Sequence, residues 1–190
     1  MIRISDQNDR LLIIGTNKQY QLCIYLFRIN KGKVISSIVF PHSVNFKFKD
    51  AEFVQGRNDQ FITVGIQCVT LWTLKNNILT FKELKIVNRL QKQRVEFGFD
   101  QTKDNMVKLQ TYLSILFFSK NVFVTGTDNG HIQLWISHKV QDYYKIKQDS
   151  QIICMSHHSI PRKTFLIGDS LGNIYLYQLQ LQKENYFIKL

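Results

Sequence analysis

Short stretches in which apolar and polar residues alternate, broken by clusters of Gly, Asn, Asp and Lys, fill most of this chain. Alternation with a period of two over four to eight residues marks a β-strand with one face buried. The stretches fall into four groups of four. The first is Ile2 to Ser5, Arg10 to Gly15, Gln21 to Phe27 and Lys33 to Val39. The second is Ala51 to Val54, Phe61 to Gly65, Cys68 to Leu74 and Ile78 to Ile86. The third is Thr111 to Phe117, Val122 to Gly126, His131 to Ile136 and Asp142 to Ile146. The fourth is Gln151 to Ser156, Thr164 to Gly168, Asn173 to Gln178 and a last run near Tyr186 to Leu190. Asp128-Asn129-Gly130 is the sharpest turn signal, because Asn-Gly accepts the positive φ angles of a tight hairpin.

Within each group a glycine precedes an apolar-x-apolar-aromatic step: Gly15 with Tyr25, Gly65 with Trp72, Gly126 with Trp135, and Gly168 with Tyr177. The aromatic anchors are spaced 47, 63 and 42 residues apart, and two of these intervals match the roughly 40 to 45 residues of a four-stranded propeller blade. The pattern therefore predicts an all-β partial propeller of four antiparallel blades, about 1–40, 48–86, 109–147 and 150–190. Gly130 and Gly172 close copies of one hairpin. The long interval holds an inserted loop, about 87–108, with an i, i+3 stripe at Leu84, Val87 and Leu90 that allows a helical turn or two. Helix is expected only there.

Forty-four per cent hydrophobic residues with 24 aromatics provide ample core for 190 residues. No apolar run approaches the ~18 residues a membrane span needs, and the first residues lack the layout of a signal peptide, so a cytoplasmic location without a membrane partner is expected. Cys23, Cys68 and Cys154 are odd in number and lie in or beside apolar strands, which suits buried thiols rather than a disulfide framework or zinc site. His157 and His158 are the most tempting catalytic or metal pair. Adjacent residues on an extended chain point opposite ways, so they cannot share a metal unaided. Asp128 and Asp169 read as turn-binding side chains. Gly126 to Gly130 and Gly168 to Gly172 read as repeat hairpins rather than phosphate loops. No catalytic residue, metal or cofactor is expected.

The Phe61 to Leu74 stretch, F-I-T-V-G-I-Q-C-V-T-L-W-T-L, resembles a blade signature of the echinoderm microtubule-associated protein-like family. Leu109 to Leu116 and Val122 to Trp135 resemble its next blade, and the likeness runs over about residues 45 to 180. It implies a WD-repeat propeller, seven blades to a ring, and a cytoskeletal or ciliary scaffold. The HELP motif and coiled coil of that family are not visible, and the aromatic anchors lack the usual following Asp, so tubulin binding does not carry over residue by residue. Four blades imply one arc of a ring, whose uncovered end faces invite closure by further blades of the same or another chain.

Packing does not account for the charge. Twenty-five Lys and Arg against 14 Asp and Glu leave +11, which favours an anionic partner. Lys85, Arg89, Lys92, Arg94 and Lys103, in and beside the inserted loop, are the candidate contacts. Tubulin or the microtubule wall is the expected partner. Nucleic acid is the lesser possibility, with an RNA-associated or general assembly propeller as the alternative function.

Overall fold

A computed structural model describes residues 1–19, 21–40, 48–84, 110–146, 150–159, 162–182 and 185–189. Among these residues sixteen strands form four separate four-stranded antiparallel sheets, each ordered as the chain runs. Blade 1 comprises β1 (Ile2–Ile4), β2 (Arg10–Thr16), β3 (Leu22–Arg28) and β4 (Lys33–Val39). Blade 2 comprises β5 (Phe48–Phe53), β6 (Gln60–Gly65), β7 (Cys68–Lys75) and β8 (Ile78–Glu83). Blade 3 comprises β9 (Tyr112–Ser119), β10 (Val122–Thr127), β11 (His131–Ile136) and β12 (Lys139–Lys145). Blade 4 comprises β13 (Ile152–Ser159), β14 (Thr164–Asp169), β15 (Ile174–Gln182) and β16 (Asn185–Lys189).

Local chemistry sets the hairpins. Asn76 and Asn77 both adopt positive φ (52° and 62°), giving the tight turn that matches strand twist between β7 and β8. Ser137 and His138 do the same (48° and 67°), which starts β12 at Lys139 rather than at the expected Asp142. Gly130 (φ 75°) closes the β10–β11 turn, where the Thr127 hydroxyl accepts from His131 N at 2.9 Å and donates to Asn129 Oδ1 at 2.7 Å. Gly172 (φ 85°) closes the matching turn of blade 4. Helix is not confined to the insertion as expected: Ile29–Lys31 forms a single 3-10 turn, ended by Gly32 at φ 56°. The inserted loop is outside the described residues.

Each blade buries one face against the next. Blade 1 sets Leu12, Ile14 and Ile24 against Phe53, Phe61 and Trp72 of blade 2. Blade 2 sets Ile62, Val64 and Leu71 against Tyr112, Phe123 and Trp135 of blade 3. Blade 3 sets Val124, Ile132 and Leu134 against Ile152, Phe165 and Tyr177 of blade 4. The same device recurs at every junction. An aromatic anchor on the third strand lies flat on its cross-strand Phe: Trp72 on Phe61 (centroids 5.8 Å, interplanar angle 7°), Trp135 on Phe123 (5.4 Å, 10°) and Tyr177 on Phe165 (5.9 Å, 30°). Both indoles donate Nε1–H to a buried threonine of the second strand, Thr63 at 2.9 Å and Thr125 at 3.0 Å.

The repeat glycines share a motif but not one position. From the residue paired with the anchor, the glycine comes two places later in blade 1 (Ile13, Gly15), four in blade 2 (Phe61, Gly65) and three in blades 3 and 4 (Phe123, Gly126; Phe165, Gly168). Gly126 faces a neighbouring blade closely: a Cβ there would lie 2.3 Å from Ile152 Cγ2. At Gly15 a Cβ would meet nothing within 4 Å, so space does not require that glycine.

Candidate interaction surfaces

The inner strands line a cleft of about 270 Å³ among blades 1 to 4, with Arg3, Asp6, Asp50, Glu52 and Met155 on its wall. Carboxylates do here what a hydrogen-bonded ladder does within a sheet. Asp50 Oδ1 accepts from the Arg3 guanidinium and from Ala51 N (2.8 Å), while Oδ2 accepts from Ile115 N of β9 at 3.2 Å. Arg3 Nε also donates to Ala51 O at 2.7 Å. Glu52 Oε2 accepts from Phe117 N at 3.2 Å, so two side chains of β5 satisfy the edge amides of the neighbouring inner strand. Burial, followed by the nearby Asp50 charge, pushes the Glu52 carboxyl up to about 8, against the opposing pull of the Phe117 amide and Arg3. Near neutral pH Glu52 is mostly uncharged, and Asp50 is engaged by Arg3. The polar groups of this cleft hold inner strands together.

His157 borders the same region, its ring edge-on to Phe118 with centroids 5.3 Å apart and its Nδ1 buried without a hydrogen-bond partner. Burial lowers its pKa, against the Phe117 backbone hydrogen bond and the Asp6 charge. His158 points to the other face of β13, where Nδ1 lies 3.1 Å from Thr164 Oγ1. The two imidazoles are therefore separated by the sheet. Among the described residues no group of three or more His, Cys, Asp and Glu is placed to hold a metal ion.

The two turn aspartates bind backbone. Asp128 Oδ1 accepts from Thr111 N at 3.1 Å. Asp169 Oδ1 accepts from Leu171 N and Asn173 N (3.0 and 2.8 Å), and Oδ2 from Ser150 Oγ and Tyr175 OH (2.8 and 3.1 Å). Burial opposes charge on Asp169, yet these donors together hold its carboxyl well below the usual range. Of the thiols, Cys23 and Cys68 are buried, whereas Cys154, expected to be buried, is exposed. Burial, then the Glu83 charge, pushes the Cys68 thiol up to about 11.

Trp72, Trp135 and Tyr177 are at most 1% exposed, but Tyr25 is only half-buried. The reason is positional. The anchor face of blades 2 to 4 packs on the preceding blade, and blade 1 has no such neighbour among the described residues. Its anchor face leaves Ile2 60% and Ile4 56% exposed beside Ile13 and Tyr25. At the other end blade 4 leaves Ile174 74% and Leu176 48% exposed. Sequence reasoning expected uncovered end faces but did not name their residues, although the F-x-T or F-x-I step before each repeat glycine of blades 2 to 4, absent from blade 1, signals which blades carry a full anchor pair. The candidate partner contacts Lys85, Arg89, Lys92, Arg94 and Lys103 lie outside the described residues.

No protein-family model matches the chain. Among solved structures it is similar to the β-propeller domain of Cps50 (Swd1) from Myceliophteria thermophila, with a TM-score of 0.74 at 14% identity. The likeness takes in 96% of this chain and 54% of that one, so the chain spans about half the length of the structure it matches. An identity of 14% speaks to fold alone, and nothing in it singles out the echinoderm microtubule-associated protein-like family. Four antiparallel four-stranded sheets and this match make the chain a partial β-propeller.

Proposed function

We propose that this chain is a non-enzymatic, WD-repeat scaffold for protein assembly, working through its exposed faces and loops. The observation that carries the reading is how the polar groups of the cleft and turns are used. Asp50 and Glu52 cap strand amides, and Asp128 and Asp169 bind turn backbone. The fold supports a scaffold because propellers present loops and rims on a rigid stack of blades.

The finer reading is an acidic partner in the cytoplasm, with tubulin or the microtubule wall first, at the cytoskeleton or cilium. Its support is the net charge of +11 and the blade resemblance, with Arg89, Lys92 and Arg94 on the inserted loop as contacts. Each exposed ionic contact contributes ~0–1 kcal/mol, so the residues must be changed together. Reversing all three to Glu should weaken microtubule co-sedimentation several-fold at low salt, less at high salt, and leave the melting temperature nearly unchanged. Equal pelleting of both proteins overturns this assignment. RNA binding lost in the variant, with neither protein pelleting, favours the RNA-associated alternative.

A further inference from the structure

The two uncovered end faces correspond by register to the two sides of the junction between blades 3 and 4. On blade 4, Leu166 pairs with Leu176 and Gly168 with Ile174; on blade 3, Val124 pairs with Leu134 and Gly126 with Ile132. These are the same positions. On blade 3 they are fully buried beneath the Phe165–Tyr177 pair, whereas on blade 4 Leu176 and Ile174 are exposed. What fits over them is another blade's anchor pair. Blade 1 holds a counterpart with isoleucine in place of the phenylalanine: Ile13 pairs with Tyr25 in the register of Phe165 with Tyr177, on a face flanked by exposed Ile2 and Ile4. Reading alternate positions along the strands, neither face carries Lys, Arg, Asp or Glu on β1–β3 or β13–β15. In a chain of net charge +11, two sheet faces uncharged over their first three strands, with Lys189 of β16 beside Gln178 at the rim of blade 4, are surfaces for burial rather than for solvent.

We propose that a second copy of this chain covers both faces at once, blade 1 of each copy packing its Ile13–Tyr25 pair onto Leu166 and Leu176 of the other. The junction is heterologous, joining unlike faces, and two such junctions close a ring with two-fold symmetry. Eight blades lie within the range of four to eight typical of closed propellers. The inference deepens the scaffold reading and rests on it. A chain that stays monomeric yet binds an acidic partner loses only this inference.

The test is light scattering coupled to size exclusion on the full chain, at about 0.15 M salt or above so that the repulsion between copies is screened beyond ~8 Å. The expected mass is twice the 22.5 kDa of one chain. Tyr25→Glu and Leu176→Glu, each checked for strand content by circular dichroism, should each be monomeric, because a homodimer then carries the charge in both junctions. Mixing the two variants should restore a weaker dimer, since one junction regains two unaltered faces. A monomer at every concentration overturns the proposal and assigns the faces to other blades; the 54% match leaves room for about three. An open polymer overturns ring closure. Dimerisation of either variant alone overturns the pairing of unlike faces.

Discussion

Replacing Trp135 with alanine should cost this protein ~3–5 kcal/mol, the range for emptying a fully buried aromatic site. Trp135 is fully buried at the junction of blades 2 and 3, stacked on Phe123 and edge-on to Tyr112 at 6.4 Å. Its indole N–H is the partner of Thr125 Oγ1, itself fully buried, so truncation also leaves an orphan hydroxyl worth ~1–3 kcal/mol within that total. A domain is stable by only ~5–15 kcal/mol, so the first unfolding transition in urea should move to much lower concentration. Trp135→Phe separates the contributions: it keeps an aromatic ring on Phe123, loses the hydrogen bond, and should cost ~1–2 kcal/mol. If alanine and phenylalanine cost the same, packing at this junction is not what holds blades 2 and 3 together.

Gly126→Val should be comparably damaging for the opposite reason. A Cβ at Gly126 would lie 2.3 Å from Ile152 Cγ2, 2.8 Å from Ile152 Cβ and 2.6 Å from Ser114 Oγ. Ile152 is β-branched and fully buried, so it has little rotamer freedom with which to retreat, and Ser114 Oγ donates to Ile152 O at 3.2 Å across the junction. The blades must part, at ~3 kcal/mol or more, near the upper end of overpacking costs. Ile152→Ala in the same chain should recover ~1–2 kcal/mol of that loss, the coupling expected of residues in contact. Gly15→Ala serves as the control: no atom stands within 4 Å, and removing a glycine from a strand should change stability by less than ~1 kcal/mol in its favour. Urea midpoints of the four proteins decide it.

The order and antiparallel pairing of the strands were readable because they rest on local signals: period-two alternation, Asn-Gly at 129–130 and Asn-Asn at 76–77. Ser137-His138 was not readable as a turn, since neither residue favours positive φ on its own and the flanking strands impose it. The glycine motif misled in one respect: an identical residue sits two, three or four places from the anchor pair, and only the register tells which copy faces a neighbour. The capping of β9 amides by Asp50 and Glu52 joins residues 65 apart in sequence, beyond the reach of any local pattern. Tyr25 looks like the other anchors in sequence but pairs with Ile13 rather than a phenylalanine and has no blade packed on its face among the described residues.

Cysteine labelling tests the open arc most directly. Cys23 lies buried in blade 1 and Cys68 buried in blade 2, whereas Cys154 is exposed on the end face of blade 4, its Sγ against Gly168. With a maleimide at protein concentrations low enough to keep copies apart, the account predicts one fast label per chain, at Cys154. Cys23 and Cys68 should react only as the chain unfolds, and mass spectrometry locates each label. Slow labelling of Cys154 in the monomer would mean that blade 4 is already covered within one chain, and rapid labelling of all three would mean that the blades are not packed as described; either result contradicts an arc of four blades with open ends.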